Sequence, residues 1–191
     1  MAEHNTLTGS SLHEPKGADI ALDGQVYIAD GAGSGSFNYL PIESYADLYI
    51  TGGVTAQTLL AASAFAKLNP TGGWSDGEKN QLTTIPANGE ITLDEAGTYQ
   101  VSFWTSFDTA AITTNVQYYF KYALDGVVNT RIVSVQKNTG NVDHLNVAAT
   151  GIVTATAGQV LSIYVGGDAT SSGTNITVTD AGLSVHLIKR A

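Results

Sequence analysis

The sequence predicts an all-β protein, an antiparallel sandwich preceded by an extended N-terminal arm. Three observations lead there. Short runs of alternating apolar and polar residues recur through the C-terminal two-thirds, the two-residue period of half-buried strands. Glycine, asparagine and aspartate separate these runs, within a chain of 191 residues that holds 21 glycines. Charged residues make up only 13%, which argues against a coiled coil and against a highly charged disordered tail.

In chain order, the first candidate element is a hairpin. Ile20-Ala-Leu22 leads into Asp23-Gly24 and then Val26-Tyr-Ile28, a turn pair flanked by apolar residues. A lone hairpin is marginal in water, so this one requires a surface to pack on. Gly31-Ala-Gly-Ser-Gly-Ser36 reads as a flexible linker. A break in character near Thr51-Gly-Gly53 divides an arm, residues 1–50, from a sandwich domain, residues 55–191. Thr55 to Leu68 is rich in alanine and leucine and scores as a helix on propensity. It is assigned as a strand because the sandwich needs a first strand there.

Tyr99 to Phe107 places Tyr99, Val101, Phe103 and Phe107 on one face, and Gln100, Ser102, Trp104 and Ser106 on the other. Val116 to Leu124 alternates again and ends at Asp125-Gly126, a left-handed turn pair that opens a hairpin into Val127 to Val135. Strands follow over Val142 to Thr154, Val160 to Val165 and Ile176 to Lys189, separated by Ala157-Gly158 and the polar loop Gly166 to Asn175. The expected core is Tyr99, Val101, Phe103, Phe120, Val185 and Leu187. Trp104 projects among polar neighbours, and two readings stand open: packing within its own subunit, or burial by another chain at an interface.

Charge is uneven. Residues 1–50 carry seven acids against the single base Lys16, while the rest of the chain carries ten acids and seven bases, for −9 overall. Nucleic acid is therefore not an expected partner, since binding needs clustered positive charge. The acidic segment suits solubility, or docking on a basic protein surface. The absence of cysteine removes thiolate metal sites and thiol catalysis. No apolar run reaches the length of a membrane helix, and the start Met-Ala-Glu-His-Asn lacks the pattern of a secretory leader.

Catalytic constellations are missing from the sequence. Gly31 to Ser36 lacks the Lys-Ser/Thr of a phosphate loop and the glycine spacing of a nucleophile elbow. His4, His13, His144 and His186 have no metal-ligand spacing; His144 and His186 read as surface or interface residues. Asp19, Asp23 and Asp30 do not form a calcium loop. Asn175-Ile-Thr177 spells a glycosylation sequon by chance. The chain is expected to be non-enzymatic, with no cofactor and no metal.

Ile91-Thr-Leu93 followed by Ala96-Gly97-Thr-Tyr99-Gln-Val-Ser-Phe103, then Ala149 to Val153, Ala157-Gly-Gln-Val-Leu161-Ser-Ile163 and Gly182 to Leu187 together resemble the complement-head and tumour-necrosis-factor-like jelly rolls. The resemblance covers about residues 55–191. It implies a jelly-roll sandwich and a homotrimer, and such modules occur in virion fibres and decoration proteins; in a trimer, Trp104 on its polar face is the expected interface residue. His13-Glu-Pro-Lys-Gly-Ala18 and then Gly24-Gln-Val-Tyr-Ile-Ala-Asp-Gly31 resemble an element placed before such jelly rolls in phage head proteins. That resemblance implies a capsid-binding arm made of His13, Glu14, Pro15, Lys16, Gly17, Val26, Tyr27, Ile28, Asp30 and Gly31. The function expected is decoration of a bacteriophage head by a trimer bound to the major capsid protein, on the outer surface of the virion and without membrane contact. The alternative is the receptor-binding tip of a phage tail fibre.

Overall fold

A computed structural model describes residues 22, 25–29, 32, 35–39, 43–53, 56–60, 64–69, 73–109, 115–138, 143–168 and 175–191. The chain forms two compact units, Met1–Ile42 and Glu43–Ala191. In the first, β1 (Gln25–Ala29) pairs antiparallel with β2 (Gly35–Tyr39). The hairpin seen pairs residues that follow Ile20 to Gly24, the strand and turn of the sequence reading, which apart from Leu22 lie outside the described residues. Val26 to Ile28 is its first strand, and Gly35 and Ser36, read as linker, begin its second. Tyr27 and Phe37 sit opposite each other, ring centroids 5.4 Å apart and edge to face. That cross-strand aromatic pair stabilises the observed register.

The second unit begins earlier than Thr51-Gly-Gly53. Residues Tyr45–Ile50 form β3, whose alternating Ala46, Leu48 and Ile50 are buried. The strand that the sequence reading left in the arm therefore belongs to the sandwich. Thr55 to Leu68 supplies two short strands instead of one, β4 (Ala56–Gln57) and β5 (Phe65–Lys67). Then come β6 (Ser75–Asn80), β7 (Thr83–Ile85), β8 (Glu90–Leu93), β9 (Gly97–Thr109), β10 (Val116–Leu124), β11 (Val127–Asn138), β12 (His144–Ala155), β13 (Gln159–Gly167) and β14 (Ile176–Arg190). Asp125 and Gly126, with φ of 50° and 76°, make the tight turn between β10 and β11; only residues tolerant of the left-handed region fit there.

These strands build a jelly-roll sandwich. One sheet runs β12-β9-β14-β3-β6, with β4 added to β14; the other runs β11-β10-β13-β8-β7, with β5 added to β13. Inward side chains from the two sheets meet in one core. Tyr99, Val101, Phe103 and Phe107 of β9 and Leu183 and Val185 of β14 face Tyr118 and Phe120 of β10 and Leu161 and Ile163 of β13, all buried. Each such side chain contributes about 1.5–3 kcal/mol by leaving water. Of the six expected core residues, five are buried and Leu187 is partly buried against the cluster.

The sheet that carries Trp104 is fastened at its end by polar contacts. Glu95 accepts from Arg190 Nε at 2.5 Å and from Ser44 Oγ at 2.6 Å, and Tyr99 donates its hydroxyl to the Glu95 carbonyl at 2.6 Å. The loop before β9, the start of β3 and the end of β14 thus share one acid.

Candidate interface on the outward sheet face

Alternation along β9 sends Phe103 inward and Trp104 outward, and its neighbours decide what Trp104 meets. In register with it stand Ala148 of β12 and Gly182 of β14, and beyond Gly182 stands Tyr49 of β3. The indole lies over Gly182: a Cβ there would collide with Nε1 and come within 2.7 Å of Cε2. Glycine on β14 is what lets the ring lie down on the sheet. Trp104 nevertheless remains 46% exposed. Packing within its own subunit therefore covers only part of the ring.

Other apolar groups share this face. Tyr45 and Tyr49 of β3, Ile152 of β12 and Ile188 near the end of β14 are all exposed. Tyr45 pairs across with His186, which pairs with Gln100, which in turn faces Ile152. Exposed large side chains thus flank a polar centre made by Thr150, Ser102, Ser184 and Asp47 in adjacent strands. Ser102 and Thr150 hydroxyls are hydrogen-bonded, and Ser106 donates to Asn146 Oδ1 at 2.5 Å. An apolar patch of this kind on one sheet face, crossed by satisfied polar ladders, is suited to burial by a protein surface.

Two histidines border the patch, each beside a carboxylate. His144 Nδ1 lies 2.5 Å from Asp108 Oδ1, and His186 Nε2 lies 3.5 Å from Glu43 Oε2. Both side chains are exposed, as the sequence reading expected. Among the described residues no group of three or more His, Cys, Asp or Glu is placed to hold a metal. Among the same residues no helix is long and apolar enough to cross a membrane.

Of the expected arm residues, Val26, Tyr27 and Ile28 stand on β1 with exposures of 37%, 39% and 42%. His13, Glu14, Pro15, Lys16, Gly17, Asp30 and Gly31 lie outside the described residues. Val26 and Ile28 point to one face of the hairpin and Tyr27 to the other, since alternate residues face opposite ways. This two-stranded sheet is therefore apolar on both faces. The sequence reading did not pick out Tyr45 or Tyr49, and took Gly182 only as the start of a jelly-roll motif. The alternation from Tyr45 to Ile50 could have revealed the tyrosines; the role of Gly182 depends on a pairing between strands far apart in sequence.

The fold is similar to that of the complement-head and tumour-necrosis-factor-like jelly rolls. The globular domain of a zebrafish complement 1qA protein superposes with a TM-score of 0.52 at 14% identity, covering 78% of this chain and 100% of that one. The Eiger TNF from S. frugiperda superposes with a TM-score of 0.51 at 10% identity, covering 78% of this chain and 95% of that one. No family model and no curated protein matches the sequence.

Proposed function

We propose that this chain is a non-enzymatic bacteriophage head-decoration protein. It assembles as a homotrimer through the Trp104 face and binds the major capsid protein through its N-terminal segment. The observation that carries the reading is Trp104, 46% exposed at the middle of an otherwise well-packed sandwich and laid over Gly182. Burial by a sister subunit would remove the indole, Tyr45 and Tyr49 from water together, and aromatic residues of this kind dominate interface energetics. The jelly-roll resemblance supports three as the number of copies. The exposed, two-faced apolar hairpin supports attachment, because a surface outside it must cover Val26 and Ile28.

The physical logic is one of multiplicity. A trimer carries three attachment segments, so modest contacts by each become firm binding through effective concentration. Bridging neighbouring shell subunits opposes their separation under internal pressure. Binding is then the whole activity, and no cofactor enters.

Light scattering tests the assembly. The protein at micromolar concentration is expected at about three times 19.9 kDa, and Trp104→Glu is expected to yield folded monomer, because an uncompensated charge would be buried at the interface. A parent protein that stays monomeric at high concentration overturns the reading.

A further inference from the structure

We propose that the outward face of the second sheet, over β11, β10, β13 and β5, binds an acidic polysaccharide. The chain as a whole is acidic, yet this sheet is not. Its strands carry Lys67, Lys121, Arg131 and Lys137, half of the eight cations in the chain, and among the described residues they carry one acid, Glu90. The strands of the other sheet hold Asp47, Asp76, Glu78, Asp108 and Asp180 against Lys79, Lys189 and Arg190. The strands of the two sheets thus differ in charge, and those of the second sheet are the more favourable to an anion.

The side chains are arranged in rows. Val133, Lys121, Tyr164 and Lys67 stand side by side on β11, β10, β13 and β5. Strands lie about 4.8 Å apart, so Lys67 and Lys121 flank Tyr164 with roughly 10 Å between their backbones. Lys67 is ion-paired with Glu90, while Lys121 Nζ sits 4.4 Å from the Phe65 ring centre and keeps its charge available. On β11, Ile132 turns inward; Arg131, Val133, Val135 and Lys137 turn outward and are exposed. Neither Arg131 nor Lys137 has a carboxylate partner among the described residues.

This chemistry selects among anionic ligands. Three of the four cations are lysines, which are strongly hydrated and are depleted from the cores of protein–protein interfaces. A dry contact with an acidic protein is therefore disfavoured. The −9 charge of the chain opposes a polymer as densely charged as nucleic acid. A uronate glycan, less densely charged than duplex nucleic acid, suits both facts: its rings stack on Tyr164 and on the valine edge, and its carboxylates reach the flanking cations through water. The inference does not depend on the capsid reading.

The test uses the full chain and alginate, a polyuronate, as probe, in titration calorimetry at low and physiological salt. Dextran, poly-glutamate and a single-stranded oligonucleotide are the comparators. Saturable alginate binding that weakens with salt, with no binding of dextran, is expected. Arg131→Glu with Lys137→Glu, two exposed positions, is expected to weaken it by about tenfold or more, and Tyr164→Ala to weaken it at unchanged salt dependence. Unchanged far-ultraviolet circular dichroism and melting confirm that the variants fold. No alginate binding, binding indifferent to the charge reversal, or equal or tighter binding of poly-glutamate or oligonucleotide overturns the proposal.

Discussion

Replacing Phe107 with alanine tests the face assignment of β9 most sharply, because Trp104 on the same strand faces the other way. Phe107 is fully buried and touches two rings. Tyr118 lies edge to face with its centroid 5.4 Å away, and Phe120 lies tilted at 5.1 Å. Truncation removes the transfer free energy of the ring, leaves a cavity between the sheets and breaks both ring contacts, for a loss of about 3–5 kcal/mol. For a unit the size of Glu43–Ala191 that corresponds to a fall in Tm of about 10–15 °C. Trp104→Ala removes a larger ring from a half-exposed site and is expected to cost the isolated subunit less than Phe107→Ala does. Its effect should instead be a loss of the concentration dependence of melting that an oligomer displays. Calorimetry of both variants at two protein concentrations makes the comparison. If Phe107→Ala melts within a degree or so of the parent, the core has been assigned to the wrong face of the strand.

Two further outcomes are expected. Hydrogen bonds from Arg190 and then Ser44 hold the Glu95 carboxyl below the ordinary glutamate range. The stabilisation is therefore present above pH about 5 and disappears as pH falls through the lowered value. The Tm difference between the parent and Arg190→Gln should accordingly close on acidification, and a difference that persists unchanged at low pH would show that Glu95 is not the group responsible. Removing residues 1–42 should leave a folded protein, whereas removing 1–50 also deletes β3 with its buried Leu48 and should abolish cooperative melting; equal melting of the two truncations would place the unit boundary wrongly.

Local signals carried much of this fold. Val116 to Tyr122 alternates, and the run to Leu124 forms β10 with the bounds read from the sequence, because a strand with one buried face must write that face into its sequence. Asp125-Gly126 announces its turn because few residue pairs accept the left-handed region. Charge and edge position hid the remainder. β6 reads Ser-Asp-Gly-Glu-Lys-Asn and is mostly exposed; as an edge strand it carries charge, which protects against unwanted pairing but erases the apolar period. β3 has a clear alternation, yet it follows an acidic, glycine-rich stretch whose composition suggested continuity with the arm. The candidate interface divides in the same way. Trp104 was legible because a large aromatic broke a polar alternation, while its seat on Gly182 arises from the register between β9 and β14, a pairing across much of the chain that no local pattern encodes.

Co-sedimentation with undecorated phage heads tests the central claim, that the first unit attaches a jelly-roll oligomer to a shell. The full chain, the chain lacking residues 1–42, and Val26→Asp with Ile28→Asp are compared at two salt concentrations. The full chain should saturate the heads. The truncation and the double substitution should both stay in the supernatant while remaining folded, since aspartates at exposed, apolar hairpin positions would have to be buried on binding. Full occupancy by the truncated protein would contradict the account and assign the attachment to the sandwich itself.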